Sequence, residues 1–254
     1  MQLELVPAQI FGFFLVFSRV GSMTILMPAF GEVSVPPWVR LGIAFSLTAV
    51  LYPLVTDLLP VMPKTPFAIV ATVGAEVLTG LFIGGITRLL LMALHLGGLV
   101  IAFQTGLGFA QGFDPAQRSQ SALVGTFLTL VGVNLILAAN LHHLLVGAMH
   151  DSYQLFHPGS LPAPASFAEL ATQTVGQAFA MGIQLAAPFI VFGIIFNTGI
   201  GLLARLMPQV QIFFIAVPGQ ILLGFMIMGM IFSSMMLWYL DYFEAGVTNL
   251  LIAR

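Results

Sequence analysis

The residues with the clearest potential for metal chemistry are His142 and His143, because imidazole is the commonest metal-binding side chain in proteins. Neighbouring positions on a helix point about 100° apart, so two adjacent imidazoles seldom bind one ion together. The sequence contains no H-E-x-x-H motif and no acidic cluster that would supply further ligands. We therefore predict no metal site, and a polar pair at a helix end is the favoured interpretation.

Enzymatic chemistry is not indicated elsewhere in the sequence. No serine stands in a G-x-S-x-G turn, and no phosphate-binding glycine loop precedes a helix. The chain contains no cysteine, which excludes disulfides, thiolate metal sites and a cysteine nucleophile. We predict that the protein is not an enzyme and has no cofactor.

The most unusual stretch is polar and glycine-rich, with long apolar runs on both sides. It extends over residues 104–121, QTGLGFAQGFDPAQRSQS. Such sequence forms helices poorly, and non-helical backbone at membrane depth is tolerated only inside protein or along a water-filled cavity. We hypothesise that this loop lies in a passage and blocks it; an ordinary exposed connector is the alternative. The candidate gating residues are Gln104, Gly106, Gly108, Phe109, Gln111, Gly112, Phe113, Asp114 and Arg118.

Composition identifies the class of protein to which such a loop would belong. Of the 254 residues, 59% are hydrophobic and only 6% are charged, whereas a soluble domain carries roughly 25% charged residues. The net charge of -2 provides no basic patch for nucleic acid. The first residues lack a basic segment and no A-x-A cleavage pattern follows, so we expect an uncleaved membrane segment. The sequence predicts an all-α, polytopic, membrane-associated protein.

About six long, partly broken helices are expected from the apolar runs, since a spanning helix needs ~20 residues. The third and fifth runs exceed one span. The third is either one long tilted helix or a helical pair bent near Gly97-Gly98, and a bend is expected in the fifth between Asn197 and Gly201. Pro53 should kink the second run or end it early. The runs are 10–30, 38–59, 67–103, 122–149, 167–207 and 212–240, with a second loop predicted at 150–166.

Ionisable residues inside these runs need partners, because each costs about 2.5–3.5 kcal/mol at a helix centre in lipid. Glu76 and Arg88 lie about 18 Å apart along one helix and about 120° around it, so they cannot pair with each other. Pairing with another subunit, pore lining and snorkelling to an interface are the alternatives; snorkelling fits Arg205 well and Glu76 poorly. The candidate polar or subunit-contact residues are Arg19, Glu76, Arg88, Gln177, Gln184, Arg205 and Gln209.

Small and polar residues also form stripes at helical spacing. Gly80 and Gly84 have the small-xxx-small spacing that lets helices approach closely. A second packing stripe is expected along the fourth run at Ser121, Gly125, Thr129 and Gly132. In the fifth run, a polar stripe is formed by Gln173, Gln177, Ala180 and Gln184.

Two segments resemble the flagellar export-gate FliR family and its counterparts in virulence type III secretion systems. The first is RVGSMTILMPAFGEVSVPPWVRLGIA, residues 19–44, and the second is residues 187–218. The similarity covers nearly the whole chain, and a Gln at position 211 departs from the expected Asn or Ser. In the second segment, the family pattern is matched in order and spacing by Ala187-Pro188, Gly201, Arg205, Pro208-Gln209 and Pro218.

The resemblance implies a subunit of a closed export gate in the bacterial inner membrane, at the flagellar basal body, with much of the complex on the periplasmic side. Residues 1–165 would be a FliP-like part, and residues 166–254 a FliQ-like part. The implied partners are FliP-like and FliQ-like subunits, FlhB- and FlhA-like export proteins, membrane lipid and unfolded export substrates, but not nucleic acid. The family's plug loop corresponds to residues 106–118.

A stand-alone secondary transporter for a small solute is the alternative function. Broken helices, Glu76 and the glutamines at 173, 177 and 184 could form a substrate site at the membrane midplane. Such a transporter would act as a monomer or homo-oligomer, whereas an export-gate subunit would be purified together with two smaller hydrophobic proteins. The native mass of the detergent-extracted protein therefore separates the two hypotheses.

Overall fold

The computed structural model describes residues 2–108, 123–160, 164–207 and 212–252. These residues form seven α-helices and one short 3-10 turn, and the described ranges contain no strand. The helices are α1 (Gln2–Leu26), α2 (Pro37–Val55), α3 (Pro66–Gln104), α4 (Leu123–Ala138), α5 (Leu141–Leu155), α6 (Pro164–Leu206) and α7 (Ile212–Ile252), and the 3-10 turn is Thr56–Leu58.

The all-α, polytopic prediction is confirmed. Within the described residues, five helices are long and apolar enough to cross a membrane, and the pair α4 and α5 makes a sixth span if it is counted as one. Burial differs between these helices: 56% of the apolar window of α3 is buried, against 22% for α2. More than half of this window of α3 is therefore packed inside the chain, whereas much of α2 is left for lipid or another protein.

The third and fifth apolar runs are each one continuous helix. α3 has 39 residues and α6 has 43. For the third run, the alternative of one long helix is confirmed and that of a pair bent near Gly97-Gly98 is wrong. α6 stays helical through Asn197 and Gly201, where a bend was expected. Glycine in a helix interior costs only about 1 kcal/mol relative to alanine, which the packing of a long apolar helix offsets.

The fourth run is broken, which its sequence did not predict. α4 ends at Ala138, α5 begins at Leu141, and the two helices are bent by 79°. Asn140 lies between them with φ +60°, in the left-handed region that asparagine tolerates better than most residues. α5 then continues to Leu155, so the predicted loop at 150–166 was too long at both ends: α6 already begins at Pro164.

Two other helix ends bear on the predictions. α2 ends at Val55, two residues after Pro53, and a 3-10 turn follows. The predicted early end at Pro53 is thus confirmed. The sixth run extends beyond its expected end at residue 240, because α7 continues through the acidic, aromatic segment to Ile252.

The chain divides into two compact units, each built from separated stretches of sequence. The first unit comprises Met1–Leu90, Ile136–Val175 and Phe243–Arg254, and the second comprises Leu91–Leu135 and Gly176–Tyr242. The division into a FliP-like part up to residue 165 and a FliQ-like part beyond it stays a prediction.

Close helix packing in the first unit depends on the predicted glycine pair of α3. A β-carbon at Gly80 would overlap the backbone carbonyl of Arg19 and the hydroxyl of Ser22 on α1. At Gly84, a β-carbon would lie 2.8 Å from the carbonyl oxygen of Met23. The small-xxx-small prediction is therefore confirmed, and α1 is the helix against which this face packs.

In the second unit, glycines of α3 and α4 meet face to face. A β-carbon at Gly98 would overlap the backbone of Gly125, and one at Gly132 would overlap the side chain of Leu94. On another face of α3, a β-carbon at Gly97 would lie 3.0 Å from the carbonyl oxygen of Gly182 on α6. The predicted packing stripe along α4 is confirmed at Gly125 and Gly132, whereas Ser121 lies outside the described residues.

Candidate functional site

A buried ion pair joins α1 to α3 in the first unit. The Arg19 guanidinium donates from Nε to Glu76 Oε2 at 2.6 Å and from Nη2 to Glu76 Oε1 at 3.1 Å. Its remaining terminal nitrogen, Nη1, donates to the carbonyl oxygens of Ser152 at 2.9 Å and Phe156 at 3.0 Å, at the end of α5. One side chain thereby connects three helices.

The surroundings of the pair satisfy both charges. Glu76 Oε1 also accepts a hydrogen bond of 2.7 Å from the backbone nitrogen of Gly159, which has φ +82° in the turn after α5. The ring of Tyr153 lies 4.3 Å from the Arg19 guanidinium carbon, a cation–π distance. A buried ion pair is tolerated only with such additional hydrogen bonds, since desolvation costs several kcal/mol per ion.

The expectation that Glu76 has a charged partner is confirmed, and that partner is in the same chain. The side chains of Arg19 and Glu76 are 0% and 1% exposed. The carboxylate is therefore occupied by Arg19 and Gly159, and an ion pair with another subunit is not needed to explain its burial.

A second, more exposed charge cluster surrounds the turn between α1 and α2. Arg88 Nη1 pairs with Glu32 Oε1, with side-chain exposures of 33% and 18%. Arg40, on α2, donates to the backbone carbonyl oxygens of Glu32 and Val35 at 2.8–3.2 Å. The expectation of a partner for Arg88 is thus confirmed, again within the chain.

The beginning of the central loop is held in the second unit. α3 ends at Gln104, and Gly106 follows with φ +78°, a conformation that favours glycine. The side chain of Gln220 on α7, 1% exposed, donates from Nε2 to the Gln104 carbonyl oxygen at 2.9 Å. A β-carbon at Gly106 would lie 3.1 Å from Gln220 Oε1, so the turn and this glutamine are packed together.

Two further contacts position the same turn. The Gln104 side chain lies so close to Gly193 on α6 that a β-carbon there would overlap its amide oxygen. Thr105 packs against Gly224 on α7 in the same way, with its Cγ2 2.5 Å from a β-carbon built at that position. Gly108 donates from its backbone nitrogen to the Ala102 carbonyl oxygen at 3.1 Å. The point at which the loop leaves α3 is therefore fixed by α6 and α7.

The remaining loop candidates lie outside the described residues. This applies to Phe109, Gln111, Gly112, Phe113, Asp114 and Arg118, and also to Gln209. Their roles stay predictions. Of the nine gating candidates, the structure describes Gln104, Gly106 and Gly108, and it brings the first two together with Gln220.

The predicted polar stripe of α6 faces outward. Gln173, Gln177, Ala180 and Gln184 are all exposed, while Ala178, Met181 and Leu185 on the opposite side are buried. Arg205 is exposed in the last turn of α6, where a cation interacts favourably with the helix dipole. The role of these residues in subunit contact stays a prediction.

The two histidines occupy the first turn of α5. Their ring centroids lie 4.2 Å apart with the planes tilted by 37°. In the described ranges, no group of three or more histidine, aspartate or glutamate side chains could hold a metal ion.

Sequence reasoning missed several residues that complete these networks. Glu32, Tyr153, Gly159 and Gln220 were not among the candidates, although each contacts one. Glu32 and Arg88 are 56 positions apart, and Gln220 and Gln104 are 116 apart. No local spacing rule connects such distant positions; the available signal was that an ionisable or amide side chain in an apolar helix needs a partner.

Comparison with known proteins places the chain in a family. Residues 10–246 match the family described as bacterial export proteins, family 1. The flagellar biosynthetic protein FliR of Caulobacter vibrioides is 40% identical over 231 residues, which cover 91% of this chain and 92% of that protein. FliR of Bacillus subtilis is 28% identical over 229 residues, or 89% and 86% of the two chains.

A virulence-associated relative matches over a shorter range. Yop proteins translocation protein T of Yersinia pestis is 26% identical over 186 residues, which cover 70% of this chain and 69% of that protein. The resemblance inferred from the two sequence segments is thereby confirmed. The chain belongs to family 1 of the bacterial export proteins, the family of the flagellar biosynthetic protein FliR and its type III translocation counterparts.

Proposed function

We propose that this membrane protein, a component of a flagellar or related type III export apparatus, is a non-enzymatic wall and plug subunit of the export gate. It would assemble with FliP-like and FliQ-like subunits in the bacterial inner membrane, at the flagellar basal body, with much of the complex on the periplasmic side. FlhB- and FlhA-like proteins would act beside it. Unfolded substrates would pass through the assembly, and the segment 104–121 would close it at rest.

The observation that supports this proposal most is the fixed origin of the central loop. Gln104, Thr105 and Gly106 are packed against α6 and α7, and the buried Gln220 donates a hydrogen bond to this turn. A connector that only joins two helices does not need a buried amide to hold its first residues. A segment that must return to the same place in a passage does, because a misplaced seal would leak.

The exposed surface supports assembly with other proteins. Only 22% of the most apolar 18-residue window of α7 is buried. α6 exposes its glutamines beside large apolar side chains such as Phe179 and Val191. Glutamine side chains facing lipid would leave amide groups without hydrogen-bond partners, which costs free energy in hydrocarbon. A partner subunit or an aqueous passage next to α6 would satisfy them.

The proposed plug is tested by shortening the loop in the assembled complex. Deleting residues 106–118 should make the complex leak small ions, measured as conductance of the purified assembly in a planar bilayer. A second variant replaces residues 109–118 with a glycine–serine segment of equal length. It retains the turn at Gln104 to Gly106 but removes the gating candidates Phe109 and Phe113, so it should leak as well. Conductance that stays at the unmodified level after the deletion would refute the plug.

The transporter alternative receives less support from the described residues. The substrate site of such a transporter needs a Glu76 carboxylate that is free to bind a solute. Both carboxylate oxygens, however, accept hydrogen bonds from Arg19, and one also accepts from Gly159. The native mass of the detergent-extracted protein separates the two functions. Two smaller hydrophobic proteins in the same particle support the gate subunit, and a monomer or homo-oligomer stabilised by a small solute supports the transporter.

A further inference from the structure

The first unit contains a groove between α1, α2 and the first part of α3. Its volume is about 640 Å³, and its walls are mainly apolar. All three helices are long and apolar enough to span a membrane. The walls include Phe14, Phe17, Ile25, Leu41, Val73 and Val77.

The hydroxyl groups in the groove do not provide a polar site. Ser18 donates to the Phe14 carbonyl, Ser22 to that of Arg19, and Thr24 to that of Val20. Each hydroxyl is therefore satisfied by the backbone of its own helix. What remains for an occupant is hydrocarbon surface, which favours a flexible apolar chain over a polar solute.

One wall of the groove carries a positive charge that the described residues leave unneutralised. Arg40 donates only to the backbone carbonyls of Glu32 and Val35, and in the described part of the chain no carboxylate lies within ion-pair distance of it. The nearby Glu32 carboxylate is already paired with Arg88. The cluster of Arg40, Arg88 and Glu32 thus has a net charge of +1.

The position of Arg40 on α2 matches the headgroup level of a membrane. α2 begins at Pro37, so Arg40 lies in its first turn, at one end of a candidate span. Trp38 is 75% exposed one residue after that start. Tryptophan and arginine at the end of an apolar span are typical of the membrane–water interface.

We propose that the groove binds one acyl chain of an anionic phospholipid whose phosphate group contacts Arg40. A guanidinium is well suited to phosphate oxygens, and an anionic headgroup neutralises the charge that the described residues leave on Arg40. The acyl chain fills the apolar groove below it. This assignment does not depend on the plug, because the groove lies between α1, α2 and α3 and contains no residue of the central loop.

The test compares lipid binding by the complete, delipidated complex. Phosphatidylglycerol or phosphatidylcholine is added at equal concentration, and the lipid-bound fraction is measured by native mass spectrometry. Phosphatidylglycerol should bind more tightly, and Arg40→Gln should weaken its binding about fivefold, the factor that corresponds to ~1 kcal/mol per basic residue near an anionic headgroup. The charge control is Lys64→Gln, an exposed base between α2 and α3, which should bind as the unmodified protein does.

A second variant blocks the groove without changing charge. A β-carbon at Gly21 would have as its nearest neighbour the Phe17 ring at 3.9 Å, so Gly21→Leu can be accommodated and fills the groove. It should reduce binding of both lipids, whereas Gly42→Leu, at an open position of α2, should not. Equal binding of the two lipids, or no effect of Arg40→Gln or Gly21→Leu, would overturn the site. So would a cross-link from Gly21→Cys to a partner subunit, because the groove would then be a protein interface.

Discussion

The guanidinium of Arg19 and the carboxylate of Glu76 meet across α1 and α3 with two hydrogen bonds, although they are 57 positions apart in sequence. The same pair reaches the end of α5 and the turn at Gly159. An ion pair in this position connects segments that helix periodicity alone does not bring together. Since both side chains are buried, an arrangement of α1, α3 and α5 that separated Arg19 from Glu76 would leave two buried charges unpaired.

Removing either member of this pair should strongly destabilise the protein. Arg19→Met leaves the Glu76 carboxylate buried with only the Gly159 nitrogen, and Glu76→Gln leaves a buried guanidinium; each should cost about 3–5 kcal/mol. The midpoint of heat-induced unfolding of the detergent-extracted complex measures the loss. Lys64→Met, at an exposed position, is the control and should unfold as the unmodified protein does.

The double variant Arg19→Met/Glu76→Gln tests whether the two side chains stabilise each other or contribute to stability independently. Because neither charge is then left alone, its cost should be less than the sum of the two single costs. It should not be zero, since the carbonyls of Ser152 and Phe156 lose their donor. Strictly additive losses would mean that the two side chains do not stabilise each other.

Close packing of α1 on α3 predicts a specific sensitivity to one methyl group. Gly80→Ala places a β-carbon into the backbone of Arg19, so the helices must separate, at a cost of about 1–3 kcal/mol. Gly74→Ala is the matched control on the same helix, because a β-carbon there has no neighbour within 4 Å. It should be neutral or stabilising by up to about 1 kcal/mol. Equal unfolding midpoints for both variants would contradict the close approach.

Much of this fold can be predicted from the sequence, because hydrophobic run length and small-residue spacing are local signals. The number of long helices, the early end of α2 after Pro53 and the contact face at Gly80 and Gly84 follow from such signals. The break at Asn140 does not, since its cause is one left-handed residue inside an apolar run. Residue partners such as Glu32 for Arg88 depend on tertiary structure, and only the need for a partner is visible in advance.

Changes to the turn at Gln104 to Gly106, or to Gln220 that holds it, should affect sealing of the gate more than assembly with the partner subunits. Gln220→Leu fills a similar volume but cannot donate a hydrogen bond, which leaves the Gln104 carbonyl unsatisfied at a cost of about 1–3 kcal/mol. Gly106→Ala forces an alanine into a left-handed conformation, at about 1–2 kcal/mol. If the loop is the plug, both variants should assemble with their partners and raise the resting conductance of the complex.

The adjacent Gly219→Ala is the control for this measurement, because a β-carbon there meets no atom within 4 Å. It should leave conductance unchanged. Should Gln220→Leu and Gly106→Ala seal as tightly as this control, the fixed turn would have no part in gating.

The polar stripe of α6 can be located in the assembly by thiol labelling, since the chain has no cysteine and each variant introduces one unique thiol. Gln177→Cys and Gln184→Cys should react with a water-soluble maleimide in mild detergent when the chain is made alone, because both positions are exposed. If partner subunits cover the stripe, co-expression with the FliP-like and FliQ-like subunits should protect both thiols. Lys64→Cys, in the segment between α2 and α3, serves as the reactive reference in both preparations. Unchanged labelling at 177 and 184 in the assembled complex would mean that the stripe faces water, and its amides would then line an aqueous passage instead of a subunit interface.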